Sequence, residues 1–324
     1  MKNKKKFLIW SEYLFAVGLF IILLTQIGID DINVLLNRIR YLWYIPCVIT
    51  VILFYWFKAQ KTSLLFEQPY PIKLIFSIVT LQNIGNLMIP ARGGEFLYVI
   101  YLKQKFNIRL SEGIGQVIYN RFTDIVCLPL FYLTIILTAS NYPRALISTA
   151  YIISGIYIVF VFVVLLVLYE WRFIYKILFD RIRILQMIKN KYKDNIEKIS
   201  MYIFDFEIYA KSKNLKKIIL ISTMSWICLF VYMYTVFQML QIPASLSMVT
   251  FLTLLMSFVY LIPVNVLGGL GIVDVTWVGL LILCGIGRND AIQSAIALRM
   301  VSYLNSLLLV CISFIILRWT ENNV

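Results

Sequence analysis

The sequence predicts an all-α polytopic membrane protein with about six membrane-spanning helices and two re-entrant hairpins made of broken helices. Hydrophobic residues make up 61% of the 324 residues and charged residues only 14%, well below the ~25% that is typical of soluble domains. Several apolar runs approach or exceed the roughly 20 residues that cross the hydrocarbon core of a bilayer. Two further apolar segments are each interrupted by a proline and paired glycines.

The spanning helices are predicted from uninterrupted apolar runs that are bounded by charged or polar loops. An N-terminal Lys cluster precedes the first run without a cleavage pattern after it, so we interpret this run as a retained helix and not as a signal peptide. Residues 58–72, which contain Lys58 and Lys61, are interpreted as a loop on the inner side. The predicted spans are residues 7–28, 42–57, 113–139, 146–169, 218–240 and 291–317.

The two interrupted segments are interpreted as hairpins. Residues 73–89 and 91–103 meet at a Pro-x-x-Gly-Gly break, and residues 247–264 and 273–286 meet at the sequence PVNVLGGLG. Non-helical backbone at membrane depth is tolerated where it is covered by protein or lines a wet cavity. When the spans are counted, the first hairpin opens inward and the second outward, which predicts an inverted repeat.

The chain is expected to form one domain over residues 1–324. Repeat 1 covers about residues 7–169 and repeat 2 about residues 218–317, and a basic segment at 170–217 separates them. That segment carries twelve Lys or Arg and six Asp or Glu, and its apolar residues recur at the spacing of amphipathic helices at a membrane interface.

The positive charge of the chain is concentrated beside the membrane segments. The formal net charge is +14, and basic residues mark cytoplasmic loops. We therefore expect the basic segment and both termini on the cytoplasmic side of a bacterial or archaeal cytoplasmic membrane. Anionic lipid headgroups, and not nucleic acid, are the expected partner of these basic residues.

The chain contains no histidine, which excludes His-based acid–base catalysis and His-liganded metal sites. Its five cysteines are isolated within apolar runs and are interpreted as small buried hydrophobic residues. The sequence therefore predicts no catalytic residue, no metal site and no cofactor.

Six charged residues lie inside or beside segments that otherwise appear buried in the membrane. A charge at the bilayer centre costs roughly 2.5–3.5 kcal/mol, so we expect these residues to bind a ligand or to form ion pairs. They form two matched sets, because the spacing from carboxylate to Arg is 26 residues in the first and 25 in the second. The first set is Arg92, Glu95, Arg121 and Asp124, and the second is Asp274 and Arg299.

These residues predict a site for a phosphate-bearing headgroup. Backbone N–H groups at a helix start together with a guanidinium can bind an anion of phosphate size. Glycines at both breaks allow a headgroup or another backbone to approach closely; they are Gly93, Gly94, Gly268 and Gly269. If the two sets face each other, three cations and three anions converge in a neutral pocket. The alternative is that the charges are purely structural ion pairs, and the residues alone leave both interpretations open.

The chain resembles a known family at these positions. Asn86, Pro90, Arg92, Gly94 and Glu95 form an N-x-x-x-P-x-R-x-G-E pattern, followed by R-x-x-D and later by G-G-x-G. These motifs are similar to those of the lysylphosphatidylglycerol synthase transmembrane, or flippase-like, family, and the resemblance covers essentially the whole chain. It implies translocation of aminoacylated phosphatidylglycerol, as is thought for the membrane half of the multiple peptide resistance factor, or of a lipid-linked intermediate.

The chain departs from the family at two positions where glutamate is common, since Asn120 precedes Arg121 and Asp274 follows the G-G-x-G motif. These departures bear on the substrate more than on the fold.

The charged residues and the family resemblance together are compatible with three functions. A lipid translocase is expected first. An intramembrane transferase with Glu95 or Asp124 as base would need a nucleotide or tRNA site, and no polar stretch is long enough to form a separate transferase domain. A non-catalytic membrane subunit of a phosphatidylglycerol lysyltransferase-type system is the third alternative. A homodimer, or a separate synthase or glycosyltransferase partner, is compatible with the sequence.

Overall fold

The computed structural model describes residues 39–66, 68–89, 92–138, 143–176, 214–260 and 271–321. Within these ranges the regular secondary structure is entirely helical. A short 3-10 helix at Tyr41–Trp43 leads into the first of the nine α-helices in the described part of the chain. They are α1 (Tyr44–Ser63), α2 (Ile72–Met88), α3 (Gly94–Phe106), α4 (Leu110–Thr138), α5 (Arg144–Lys176), α6 (Leu215–Met239), α7 (Leu246–Val259), α8 (Ile272–Leu283) and α9 (Arg288–Glu321).

The all-α membrane class is confirmed. Four helical stretches of the described chain are long and apolar enough to cross a membrane; they are Tyr41–Ser63, Leu146–Val163, Leu215–Met239 and Arg288–Trp319. The predicted first span at 7–28, and most of the basic segment at 170–217, lie outside the described residues.

The first predicted break is confirmed. Helix α2 ends at Met88 because Ile89 is extended, with φ −105° and ψ 127°, a conformation favoured by the proline that follows it. The chain becomes helical again at Gly94. The second break separates α7 from α8, although residues 261–270 lie outside the described residues. At ~1.5 Å per residue, the 13 residues of α3 and the 12 of α8 are too short to cross about 30 Å of hydrocarbon.

Backbone contact between α2 and α3 holds the first broken pair together. A Cβ atom at Gly94 would lie 1.9 Å from the Gln82 carbonyl oxygen, and one at Gly85 would lie 2.6 Å from the Gly94 Cα. Only glycine fits at these two positions, because the neighbouring atoms belong to the backbone and cannot turn away.

The helix contacts are reciprocal. Helix α2 packs on α9, α7 packs on α4, and α1 packs along α6 in the most extensive contact of the described bundle. A two-fold repeat in which α1, α2, α3 and α4 correspond to α6, α7, α8 and α9 produces this pattern. The two repeats, and the inversion of one relative to the other, stay predictions.

One sequence prediction is wrong at the end of α1. The segment 58–72 was expected to form a loop, whereas α1 continues to Ser63. The helix extends because no Gly or Pro interrupts the chain between Trp56 and Ser63. As a result Lys58 and Lys61 belong to a helix of the bundle, and Lys61 is only 2% exposed.

Candidate functional site

A cavity of about 370 Å³ lies inside the helix bundle. Most of its wall comes from α1, α2, α4, α6 and α7, and Arg92 enters it from the break between α2 and α3. The charged residues that line it are Lys58, Lys61, Arg92, Arg121 and Asp124. Amide groups of Gln82, Asn83, Asn86 and Asn120 add further polar surface.

Much of the remaining cavity wall is apolar or aromatic. This surface comes from α1, α2, α4, α5 and α6. It includes Val117, Ile125, Leu128, Tyr157, Trp226, Leu229 and Met233. The cavity therefore offers both charged and apolar side chains to the same occupant.

Arg121 and Glu95 form the principal ion pair of the first charged set. The Arg121 Nε and Nη2 atoms donate to the Glu95 carboxylate at 3.0 and 2.5 Å. This contact joins the middle of α4 to the first turn of α3, where a carboxylate also interacts favourably with the helix dipole. The Arg121 side chain is still 36% exposed, so part of its guanidinium faces the cavity.

Arg92 connects the first break to the end of α7. One of its Nη atoms donates to the carbonyl oxygen of Tyr260, and the other lies 3.8 Å from Glu95. The residue adopts a left-handed backbone with φ 57°, which is unfavourable for a residue that has a Cβ atom. The guanidinium thus holds the break against the end of α7.

Lys61 and Asp124 form a second ion pair, which the sequence did not predict. The Lys61 Nζ donates to the Asp124 carboxylate at 2.5 Å and to the Asn120 carbonyl oxygen at 3.1 Å. Lys58 lies one turn earlier on the same face of α1. Its Nζ lies 4.5 Å from the centre of the Phe54 ring, and it makes no ion pair with any described residue.

The i, i+3 spacing of Lys58 and Lys61 was the signal that could have identified them. Two lysines three residues apart share a helical face. This face lies on a helix of the bundle because α1 continues beyond its apolar run, which ends at residue 57, to Ser63.

Asp274 and Arg299, the second charged set, form an ion pair outside the cavity. The Arg299 Nε and Nη2 atoms donate to the same Asp274 oxygen at 3.0 and 2.8 Å. The other Asp274 oxygen accepts from the Gly271 backbone N–H at 2.9 Å and so caps α8. The two side chains are only 7% and 3% exposed.

The structure therefore does not bring the six predicted charges into one pocket. Three residues of the first set line the cavity and Glu95 contacts two of them, whereas the second set is a closed pair between α8 and α9. Gly93 and Gly94 are buried at the start of α3 and do not line the cavity. Gly268 and Gly269 lie outside the described residues. Among the described residues, no three Cys, Asp or Glu side chains are grouped as metal ligands.

Comparison with known proteins agrees with these motifs. The profile of the lysylphosphatidylglycerol synthase TM region matches residues 9–309. The UPF0104 membrane protein MJ1078 of Methanocaldococcus jannaschii is 27% identical over 238 residues, which cover 72% of this chain and 94% of that protein. No solved structure matches the chain.

Proposed function

The chain belongs to the lysylphosphatidylglycerol synthase transmembrane family, and we propose that it is a lipid translocase that takes a phospholipid headgroup into the basic cavity. One observation carries this proposal: the cavity combines four basic side chains with an apolar wall inside a bundle of membrane helices. Charged groups inside a membrane protein commonly mark the path of a substrate. A headgroup satisfies the charged side chains, and the acyl chains remain in the bilayer.

The size of the cavity supports a headgroup as the occupant. About 370 Å³ is within the ~300–1,000 Å³ of typical small-ligand sites, and a whole phospholipid would not fit. Arg92 also links the two repeats at the cavity wall through Tyr260. A relative movement of the repeats would change this contact and the access to the cavity together.

The proposed location is the cytoplasmic membrane of a prokaryote, with both termini in the cytoplasm. The support is the N-terminal Lys cluster and the basic segment at 170–217, since basic loops stay on the cytoplasmic side.

Transbilayer movement of lipid tests the proposal. The purified chain is reconstituted in liposomes that contain phosphatidylglycerol with a fluorescent acyl chain, and a membrane-impermeant quencher reports the lipid that reaches the outer leaflet. Wild type is expected to move the lipid faster than protein-free liposomes. Arg121→Gln should slow movement about tenfold through loss of a charge-assisted contact. The matched control is Arg109→Gln, which removes an exposed Arg at the start of α4, away from the cavity.

Two results would contradict the translocase. Wild type that moves no lipid above the protein-free background would exclude it. A new lipid species in the mass spectrum of the liposome extract would favour the transferase instead. Equal rates for Arg121→Gln and Arg109→Gln would retain a translocase and reject this cavity as its path.

A further inference from the structure

We infer that the cavity selects a headgroup with a net negative charge, a phosphate monoester in preference to a phosphodiester, and rejects a net cationic headgroup such as an aminoacylated one. This inference rests on the proposed function for the identity of the ligand as a headgroup. The sequence predicts a neutral pocket, whereas the observed cavity is positively charged because Lys58 and Lys61 line it.

The charges around the cavity do not balance. Its described lining contains four cations, Lys58, Lys61, Arg92 and Arg121, and one carboxylate, Asp124. Glu95 lies behind the lining and contacts two of these cations. Four positive and two negative charges leave +2 among the described residues of the site.

Two of the four cations have donors that the described residues leave open to a ligand. Lys61 is held by Asp124 and by the Asn120 carbonyl, and Arg92 is held by Tyr260. By contrast, Lys58 makes no ion pair with the described residues, and Arg121 directs two donors to Glu95 while 36% of its side chain remains exposed. The geometry therefore assigns Lys58 and Arg121 to the phosphate of the ligand.

The second repeat serves as an internal comparison. It contains the same Arg–carboxylate arrangement, but the Arg299–Asp274 pair is neutral and almost completely buried. Helix α6, which corresponds to α1, supplies no lysine to the Arg299–Asp274 pair. Of these two sets of described charges, the one with an excess of positive charge is thus the set around the cavity, where a ligand can compensate it.

Two uncompensated positive charges in a low-dielectric site strongly favour an anionic ligand over a cationic one. A phosphate monoester carries about −1.5 to −2 charges at neutral pH and would neutralise the site. A phosphodiester carries a single charge and would neutralise half of it. A lysyl ester adds two ammonium charges to the phosphodiester, and the resulting net cation would be repelled.

Binding of defined lipids to the full chain tests the inference. The purified protein in detergent is titrated with dioleoyl phosphatidic acid, dioleoyl phosphatidylglycerol and lysyl-dioleoylphosphatidylglycerol, and native mass spectrometry gives the bound fraction of each. Phosphatidic acid is expected to bind most tightly and the lysyl lipid at least about tenfold more weakly, the difference expected for a charge-assisted contact. Inorganic phosphate is added as a competitor, because it distinguishes a site for free phosphate from a site for a lipid headgroup. Displacement of phosphatidic acid by millimolar phosphate would indicate a site for the phosphate group alone, and resistance to it would indicate a lipid site.

A charge series at Lys58 supplies the decisive variants. The substitution Lys58→Gln should weaken binding of phosphatidic acid about tenfold, and Lys58→Glu should weaken it further while improving binding of the lysyl lipid. Because Lys58 makes no ion pair in the described structure, neither change leaves an unpaired carboxylate. The same two substitutions at the exposed Lys103 of α3, outside the cavity, should change neither affinity.

Equal or tighter binding of the lysyl lipid by wild type would overturn the inference. A Lys58 series that has no more effect than the Lys103 series would also overturn it. The proposed function fails separately: selective binding of phosphatidic acid without transbilayer movement would retain the charge preference and reject the translocase.

Discussion

Lys61 Nζ lies 2.5 Å from the Asp124 carboxylate, and this contact joins the last turn of α1 to the middle of α4 across 63 residues of sequence. The Lys61 side chain is 2% exposed and that of Asp124 is 17% exposed. A buried ion pair of this kind fixes the relative position of two helices and places their other charges at the cavity.

The Lys61–Asp124 pair should behave as a coupled unit. Either Lys61→Met or Asp124→Asn should lower the free energy of unfolding by about 3 kcal/mol, because the partner is left as an unpaired buried charge. The double variant should recover a large part of this loss. Unfolding of the four proteins in detergent, followed by loss of native tryptophan fluorescence, measures the coupling. Strictly additive effects would show that the two charges do not interact.

Gly94 is expected to be intolerant of any side chain. Gly94→Ala would place a Cβ 1.9 Å from the Gln82 carbonyl oxygen, so α2 and α3 would have to separate, at a cost of about 3 kcal/mol or more. Gly155 and Gly279 have open space around a Cβ atom, and their replacement by Ala should be neutral or stabilise by up to about 1 kcal/mol. Thermal unfolding of the three variants is the measurement. A Gly94→Ala protein as stable as the two controls would refute the close approach.

Arg92 should show an unusual order of stability among its variants. At φ 57°, Arg92→Gly removes the guanidinium and also relieves the backbone strain, whereas Arg92→Ala removes the guanidinium and retains the strain. The Gly variant should therefore be more stable than the Ala variant by about 1 kcal/mol. At Lys103, inside helix α3, the order should be reversed, with Gly about 1 kcal/mol less stable than Ala. Denaturant unfolding compares the two pairs, and the same order at both positions would contradict the assigned backbone.

The Asp274–Arg299 pair is expected to support stability without contributing to the cavity. Arg299→Lys keeps the charge but loses the two N–H donors to one Asp274 oxygen, so the midpoint of unfolding should fall by an amount that corresponds to roughly 1–2 kcal/mol. The affinity of the folded variant for phosphatidic acid should equal that of wild type. A folded Arg299→Lys protein with weakened lipid binding would place this pair in the binding site after all.

The sequence determined the class of the protein and the position of the first break. Hydropathy, the Pro and Gly residues around residue 90 and the spacing of the charged residues are all local properties. They predict helices whose observed bounds differ by one to seven residues. The residues whose spacing matched in the two sets are in contact in the structure, since Glu95 pairs with Arg121 and Asp274 pairs with Arg299. In each pair the partners lie on helices that neighbour each other in the fold.

The tertiary structure alone decided which charges share a cavity. Asp124 pairs with Lys61, a residue whose place depends on how far α1 extends and on where α1 crosses α4. Likewise, one Arg–carboxylate pair faces open space and the equivalent one is closed, although their sequence patterns are nearly the same. Exposure and long-range pairing depend on the packing of helices far apart in the chain, and no local pattern encodes that packing. This packing places an excess of positive charge in the cavity, where the sequence predicted a neutral pocket.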